Sequence, residues 1–297
     1  KQAAASIGQV RLASAYSSLF NEYDTISSQI LLSLYDTEDR RSHLNARATI
    51  ETLLEHNIVP IINENDSIAT EEIRFGDNDR LAARVSQMMG AGLLILFSTT
   101  DGLYTKNPDK SQDARHIEKI PEITAEIQKY ADLPSSNIST GGMISKIESA
   151  RIAVSAGCRV VISDGRKNHP ITQAGRFSCF DASQTPQNAR KKWIAAHLST
   201  KGELIIDSGA VSALQDGKSL LPVGILDVRG KFERGDPVLI KDEDERLIGR
   251  GLIAYDDKQA SKIAGLKSHL IAPTLGYEGR QEMMHRDNLV LENGVPV

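Results

Sequence analysis

A pair of glycines followed by a lysine-bearing helical pattern is the most distinctive chemical feature of the sequence. Residues 140–146 read Thr-Gly-Gly-Met-Ile-Ser-Lys. Glycines leave backbone N–H groups free to approach an anion, the helix predicted from about Met143 points its positive end at that anion, and Lys146 adds a full charge. The arrangement fits a phosphate, although it lacks the Walker A spacing. A glycine pair that only begins a helix is about equally compatible with it.

Two polar loops supply carboxylates and carboxamides. Residues 63–66 read Asn-Glu-Asn-Asp and residues 76–79 read Gly-Asp-Asn-Asp. Such side chains suit an ammonium group, a cation or a bound Mg²⁺, so the two loops together predict one polar site. Taken singly, each loop is more typical of turns and helix caps, with Asp79 capping a helix that starts at Leu81.

A third loop, at residues 98–104, reads Ser-Thr-Thr-Asp-Gly-Leu-Tyr and follows an apolar run. The hydroxyl groups of Ser98 and Thr99 suit contacts with a nucleotide. A tight turn ending at Asp101 and Gly102 is an equally good interpretation of the same residues.

Cysteines and histidines add no further site. Cys158 and Cys179 form no CxxC pair, and the seven histidines show no HxH or HExxH grouping. Neither a disulfide framework nor a zinc site is predicted, and we assign no residue to a metal. Because His43, His56 and His116 lack acidic partners at short spacing, we expect them to be surface or packing residues.

The elements that must position these loops alternate between helical and strand-like patterns from residue 1 to residue 181. Continuous apolar runs of this kind are typical of strands covered on both faces, which predicts an α/β domain with a mostly parallel sheet. Ligands of such sheets bind at the carboxyl ends of the strands. We expect an amphipathic helix at 1–20, further helices at 44–56, 81–89 and 143–156, and strands at 58–62, 93–97 and 160–163.

A second domain is predicted after a break in this pattern. Residues 182–203 are rich in Ser, Gln, Pro and basic residues and are the candidate linker. Residues 204–297 follow with short strand patterns separated by glycine turns, which predicts a small, mainly β domain. Its first strand begins at the end of the linker: we expect strands at 203–207, 224–229, 237–241 and 247–254, and one helix at 257–264.

Composition excludes several classes of protein. The 297 residues suffice for two domains, and 40% hydrophobic with 25% charged residues is typical of a folded globular protein. A formal charge of −4 disfavours a dedicated nucleic-acid binder. No apolar run approaches the roughly 20 residues that cross a bilayer, so no membrane partner is expected. The sparse cysteines favour a reducing, cytoplasmic location.

Taken together, the loops at 63–66, 76–79, 101–104 and 140–146 resemble, in order and spacing, those of the glutamate 5-kinases of the amino-acid kinase family. The segment after about Leu204 is similar to a PUA domain, so the resemblance covers essentially the whole chain. It implies an α/β/α sandwich that uses ATP and Mg²⁺ to phosphorylate the γ-carboxylate of L-glutamate, giving L-glutamyl 5-phosphate in the first step of proline biosynthesis.

The resemblance also implies roles for individual residues. Asp66 and Asn78 would bind glutamate, Lys146 would neutralise charge on the transferred phosphoryl group, and Asp79 would be a catalytic residue that organises the reacting groups. ATP binding is implied for two segments, which comprise Ser98, Thr99, Thr140, Gly141, Gly142, Met143, Ile144, Ser145 and Lys146.

Two features depart from the family pattern. The family has an N-terminal strand, a glycine-containing loop with a catalytic lysine, and a substrate-binding serine, all of which would precede Lys1. We therefore expect the chain to begin inside the kinase domain. The family also commonly shows Thr-Asp where this chain has Ser98 and Thr99, which removes a carboxylate from the nucleotide loop.

The resemblance further implies L-proline as a feedback inhibitor, a homo-oligomer (dimer or tetramer) and a glutamyl phosphate reductase as partner. A basic strip including Arg229 and Arg250 could bind RNA, but the acids at 242–245 favour a solvated face, so nucleic acid is not an expected partner. The alternatives are a kinase of the same fold acting on another acceptor, and a non-catalytic RNA-binding or regulatory remnant.

Overall fold

The computed structural model describes residues 2–67, 77–108, 111–131, 142–172, 175–197 and 200–292. The chain divides into two compact units, Lys1–Pro186 and Gln187–Val297. Within the described residues, no helix is both long enough and apolar enough to cross a bilayer.

The first unit contains alternating helices and strands, as predicted. Its helices are α1 (Gln2–Asn21), α2 (Leu34–Glu38), α3 (Arg40–Glu55), α4 (Asp77–Met89), α5 (Ala125–Ala131) and α6 (Gly142–Ser155). Its strands are β1 (Ser27–Leu32), β2 (Val59–Glu64), β3 (Leu93–Ser98), β4 (Leu103–Tyr104), β5 (His116–Ile117), β6 (Lys119–Ile120), β7 (Arg159–Asp164) and β8 (Phe177–Phe180).

These strands form three sheets. β1 and β2 pair in parallel, while β4 and β5 form a short antiparallel pair. The four-stranded sheet has the order β3-β7-β8-β6, with β7 and β8 antiparallel and the other two pairs parallel. The strand pairing is thus mostly parallel, as the sequence predicts, and the antiparallel pairs are β7–β8 and β4–β5.

Helices α4 and α6 pack side by side on one face of the four-stranded sheet. Ile147, Ala150 and Ala153 of α6 join Leu96 of β3 and Val160 of β7 in a buried core. Small residues on α6 let the helix approach the sheet closely. A second core, formed by residues of β1, α3 and α4, includes Leu32, Ile50 and Leu81.

The other face of this sheet is more open than the sequence predicts. Leu93 and Phe97 were expected in a strand covered on both faces, yet both side chains are exposed. On that face, Ile95 and Phe97 line an apolar cavity of about 150 Å³ beneath the loop at Pro170 and Ile171. Because α4 and α6 both pack on the opposite face, these two helices do not cover the residues of β3 that point to this side.

Helix α1 is present, but its predicted amphipathic packing is wrong. Its apolar side chains Ile7, Val10 and Leu19 are exposed, and Gln9 is its buried residue. The Gln9 amide donates a hydrogen bond to the Glu64 carbonyl oxygen at 3.0 Å. A polar contact, rather than an apolar stripe, therefore ties this helix to the end of β2.

The second unit is a five-stranded sheet with short helices. α7 (Pro186–His197) lies where the two units divide, within the segment predicted as a linker. The strand order is β10-β9-β11-β12-β13, with β9 and β11 parallel and the remaining pairs antiparallel. The elements are β9 (Gly202–Ile206), α8 (Ser208–Gln215), β10 (Ile225–Gly230), β11 (Pro237–Lys241), β12 (Leu247–Leu252), α9 (Asp257–Ile263), α10 (Ile271–Leu275) and β13 (Leu289–Leu291).

The mainly β character of this unit is confirmed. All four predicted strands and the predicted helix are present, with ends shifted by no more than two residues. Buried aliphatic and sulfur-containing side chains, including Leu204, Ile206, Val238 and Met283, form its core. Helix α8 and strand β13 are additional elements that the sequence analysis did not predict.

Candidate active site

Two parallel strands end side by side at one edge of the four-stranded sheet. β3 and β7 pair in register, so that Ser98 lies beside Asp164 at their carboxyl ends. Helix α4 leads into β3, and α6 leads into β7. α6 extends over about 21 Å and β7 over about 20 Å, so each helix begins near the edge where the strand after it ends. This edge is where an open α/β sheet binds its ligands.

Asp79 and Lys146 meet at this edge. The Lys146 Nζ atom lies 2.7 Å from Asp79 Oδ2, and the two side chains are only 13% and 18% exposed, respectively. Because α4 and α6 pack together, their first turns bring into contact two residues that are 67 positions apart. Partial burial protects this ion pair from the screening that weakens exposed pairs.

The predicted helix-cap role for Asp79 is wrong. α4 begins at Asp77, so Asp79 lies inside its first turn rather than before it. Its Oδ2 atom accepts hydrogen bonds from the Lys146 ammonium group and, at 3.2 Å, from the Ser145 hydroxyl. The carboxylate is therefore used to hold α6 side chains, and it also benefits from the positive end of α4.

A side-chain hydrogen bond links the two Asx-rich loops. The Asn78 Nδ2 group donates a hydrogen bond to Asn63 Oδ1 at 3.2 Å, which brings the end of β2 to the start of α4. Asp66 is half-buried in the turn after β2. The sequence analysis did not give Asn63 a role of its own, although its loop carried the signal.

Two family models match the chain: the amino acid kinase family over residues 1–164 and the PUA domain over residues 202–273. A curated relative from Paramagnetospirillum magneticum, named glutamate 5-kinase, is 50% identical over 98% of this chain and 80% of its own length. The protein of the same name from Brucella ovis is 51% identical over 98% of this chain and 78% of its own.

This chain belongs to the amino acid kinase family. The family assignment and the PUA domain agree with the resemblance found in the sequence. Among solved structures, isopentenyl phosphate kinase matches 57% of this chain and 65% of its own, with 17% identity and a TM-score of 0.40.

The glycine-rich segment of this amino acid kinase is only partly within the described residues. Thr140 and Gly141 lie outside them, while Gly142 is the first residue of α6. Ile144 is exposed, and Met143 packs at the margin of the core. The first residues of a helix carry backbone N–H groups without intrahelical partners, so Met143 and Ile144 offer donors beside Lys146. Ser145 is buried, and its hydroxyl donates to Asp79 Oδ2.

The loop after β3 is held in place by glycine geometry. Gly102 has a φ of 147°, and a Cβ atom there would lie 2.6 Å from His116 Nε2 and even closer to the Ser178 hydroxyl. The Leu103 N–H donates to that hydroxyl at 2.7 Å. The predicted turn at Gly102 is therefore real, and the same loop carries the partly exposed Ser98 and the exposed Thr99. A turn at Gly102 and a nucleotide contact by Ser98 and Thr99 are therefore compatible interpretations of this loop.

The sequence analysis gave no role to the Tyr104 hydroxyl in this loop, and it did not single out Asp164 or Arg166 beside it. The Tyr104 hydroxyl donates to Asp101 Oδ1 at 2.8 Å, and burial raises the pKa of Tyr104, which keeps the hydroxyl protonated as a donor. Arg166 bonds to Asp164, and this guanidinium lowers the pKa of Asp164 to about 2. The sequence signal for Asp164 and Arg166 is an Asp-Gly-Arg triplet after an apolar strand, which is too common to identify a site.

Proposed function

We propose that this chain transfers the γ-phosphoryl group of ATP to the γ-carboxylate of L-glutamate, forming L-glutamyl 5-phosphate and ADP. The family assignment and the curated relatives named glutamate 5-kinase support the reaction class. The observation that carries the site proposal is the Lys146–Asp79 contact at the start of α6, 2.7 Å long, at the edge where β3 and β7 end.

Lys146 stabilises the transferred group in this proposal. As the γ-phosphorus leaves the bridging oxygen of ADP and bonds to a glutamate carboxylate oxygen, negative charge spreads over its equatorial oxygens. An ammonium group already fixed by Asp79 meets that charge with little reorganisation. The acceptor carboxylate is ionised at neutral pH, so the step requires no general base.

Asp79 acts through Lys146 rather than on the substrate. Its carboxylate fixes the position of the ammonium group and of the Ser145 hydroxyl. Asp66 and Asn78 are the proposed glutamate-binding residues, since a carboxylate suits the α-ammonium group and a carboxamide suits a carboxylate. The Asn63–Asn78 hydrogen bond would orient that carboxamide for the substrate.

ATP is proposed to bind between the start of α6 and the loop after β3. The N-terminal N–H groups of α6 would bind phosphate oxygens, with Thr140 and Gly141 continuing that binding segment. Ser98 and Thr99 would contact the nucleotide through hydroxyl groups, which are neutral donors and acceptors.

Mg²⁺ fits this site as part of the nucleotide complex. Among the described residues, no group of three or more His, Cys, Asp or Glu side chains could hold a metal ion. Mg²⁺ usually keeps several waters and binds substrate phosphates with one or two carboxylates, so a protein cage is not required. Bound there, the ion would neutralise phosphate charge.

The wider biological proposals rest on the family resemblance found in the sequence. We place the reaction at the start of proline biosynthesis in the cytoplasm, with L-proline as feedback inhibitor. We also propose a homo-oligomer, as a dimer or tetramer, and a glutamyl phosphate reductase that receives the labile acyl phosphate.

Hydroxylamine trapping of the acyl phosphate tests the reaction. The product of the complete gene is incubated with ATP, Mg²⁺ and either L-glutamate or L-aspartate, and the hydroxamate is quantified. We expect product with glutamate and little with aspartate. Preferred phosphorylation of aspartate would replace the proposed acceptor, and a folded protein without product on any acceptor would overturn the kinase proposal.

A further inference from the structure

A short turn after β7 lies directly against the end of β3. The Gly165 N–H donates a hydrogen bond to the Ser98 carbonyl oxygen at 2.9 Å, which continues the pairing of the two strands beyond Asp164. A Cβ atom on Gly165 would lie 2.8 Å from Phe97 Cβ, so glycine allows this close approach. The next residue, Arg166, is therefore placed beside the loop that carries Ser98 and Thr99.

The Arg166 guanidinium is fixed by a two-point ion pair. Its Nε atom donates to Asp164 Oδ1 and its Nη2 atom to Asp164 Oδ2, both at 2.9 Å. The Arg166 backbone N–H also donates to Asp164 Oδ1 at 3.0 Å. Such bidentate geometry restricts the orientation of the guanidinium.

The fixed guanidinium still has donors to offer. The Arg166 side chain is 66% exposed, while that of Asp164 is 11% exposed. A guanidinium has five N–H donors, and the fork to Asp164 uses two of them, which leaves three for another acceptor.

A second arginine contacts the same loop. Arg176 Nη1 donates to the Tyr104 hydroxyl at 3.4 Å, and that hydroxyl donates to Asp101. Asp101 interacts electrostatically with both Arg166 and Arg176, so both guanidinium groups lie near this carboxylate. With Lys167, this region carries three cations and two carboxylates, a net positive charge beside Ser98.

We propose that Arg166 binds the phosphate groups of the nucleotide and so completes the ATP site on the β7 side. The inference rests on the function proposed above and adds a residue to that site. Planar guanidinium groups match phosphate oxygens, and one already fixed by Asp164 loses little side-chain freedom on binding. Arg166 would thus supply positive charge beside the loop after β3, whose Ser98 and Thr99 are both neutral.

The competing role is structural, in which Arg166 only braces the loop after β3. The two roles differ in which part of the nucleotide would lose affinity on substitution. Loss of a phosphate contact weakens ADP binding and leaves adenosine binding unchanged. Loss of a brace disturbs the loop and weakens both ligands together.

Calorimetric titration with ADP and with adenosine separates these roles. The product of the complete gene is compared with Arg166→Ala, Arg166→Lys and the control Arg159→Ala. Arg159 is an exposed arginine paired with Asp181 at 3.1 Å, and it begins β7, whereas Arg166 lies in the turn after the other end of that strand. It therefore matches Arg166 in chemistry and differs in position.

We expect Arg166→Ala to reduce the preference for ADP over adenosine about tenfold, since one charged hydrogen-bond pair contributes roughly that factor. Arg166→Lys should recover part of the preference, and Arg159→Ala should retain all of it. An unchanged preference in Arg166→Ala, equal losses for both ligands, or a parent protein without any preference for ADP would overturn the inference.

The binding assay does not depend on the acceptor. Arg166-dependent ADP binding in a protein that forms no hydroxamate would reject the proposed reaction and keep the inference. If the protein phosphorylates glutamate but its preference for ADP is unchanged in Arg166→Ala, the proposed reaction is kept and the inference about Arg166 is rejected.

Discussion

At the scale of single residues, the site depends on one partly buried ion pair. Asp79 and Lys146 lie on different helices, and each side chain satisfies the charge of the other. Removal of one partner leaves a partly buried charge without compensation, so substitutions at either position affect both placement and charge. Variants that keep the size of the side chain are therefore the most informative.

The Asp79→Asn substitution is expected to leave the fold intact and to lower turnover by orders of magnitude. The amide keeps the volume of the carboxylate but cannot balance the Lys146 ammonium group, so the position of that group would relax. Hydroxamate formation measures turnover, and circular dichroism verifies the fold. Asp113→Asn is the matched control, because Asp113 pairs with Lys106 at 3.6 Å on the exposed surface. Near-normal turnover in Asp79→Asn would refute the role of this carboxylate.

The Lys146→Ala substitution is expected to raise the KM for ATP and to lower kcat, with a smaller effect on the KM for glutamate. The reason is that the ammonium group meets phosphate oxygens rather than the amino acid. Steady-state kinetics with each substrate varied in turn measures the three constants. Lys106→Ala, an exposed lysine of the same unit, is the control. A selective loss of glutamate affinity would contradict this assignment.

At the scale of elements, the turns after β3 and β7 place the candidate nucleotide loop. Gly102 and Gly165 are both positions where a side chain would collide with a neighbouring residue. The ion pair of Asp164 and Arg166 then fixes the turn after β7. Stability measurements can test each turn separately from activity.

The Gly102→Ala substitution is expected to destabilise the protein by about 1–3 kcal/mol. A φ of 147° is unfavourable for residues other than glycine, and the new Cβ atom would collide with Ser178 and His116. Urea unfolding measures the change. The control is Gly92→Ala, because Gly92 has no neighbouring atom within 4 Å and no positive φ. Equal stability of the two variants would show that the loop is not fixed in this way.

The Asp164–Arg166 pair is expected to contribute stability that depends on pH. The pKa of Asp164 is about 2 in the folded protein against an ordinary value of 3.8, chiefly because Arg166 donates to the carboxylate. A lowered pKa means that the contribution is fully present above pH 3.8 and is lost as the pH falls towards 2. Urea unfolding at several pH values measures it.

Asp164→Asn removes the titrating group. The variant should therefore lose less stability than the parent protein between pH 4 and pH 2. Parallel pH profiles for the two proteins would exclude a stabilising ion pair at this turn.

At the scale of the whole molecule, two units with different architectures share one chain. The first has an α/β fold whose sheet edge carries the candidate kinase site, and the second has a five-stranded sheet. The basic residues of the second unit are largely balanced. Arg229, Arg246 and Arg250 each pair with a carboxylate, at 2.6, 3.1 and 2.6 Å.

This pairing predicts weak RNA binding by the protein. Phosphate binding by cationic side chains depends on unbalanced positive charge, which the paired acids reduce. Fluorescence anisotropy with a labelled single-stranded RNA should show no saturable binding at about 0.15 M salt, the physiological ionic strength. Tight binding that weakens with added salt would instead favour the RNA-binding alternative.

The sequence by itself determined the order of the elements and the positions of the chemical motifs. The apolar runs at 93–97 and 160–163 predicted β3 and β7, because buried parallel strands need continuous apolar residues. The short strands and glycine turns after residue 203 predicted the second unit. Both predictions depend on local patterns, because side-chain burial and backbone geometry constrain the residue types within a few neighbouring positions. The sequence analysis missed β1 and the three-residue β13, because the apolar pattern at each is brief.

Only the tertiary structure decided which residues meet. The contact of Asp79 with Lys146 depends on the packing of α4 against α6, and the place of Arg166 beside Ser98 depends on the register of β3 and β7. The exposed apolar residues of α1 and the exposed Phe97 were likewise set by which faces the helices cover. Contacts between distant segments arise when whole elements pack together, and a local sequence pattern does not specify which elements will do so.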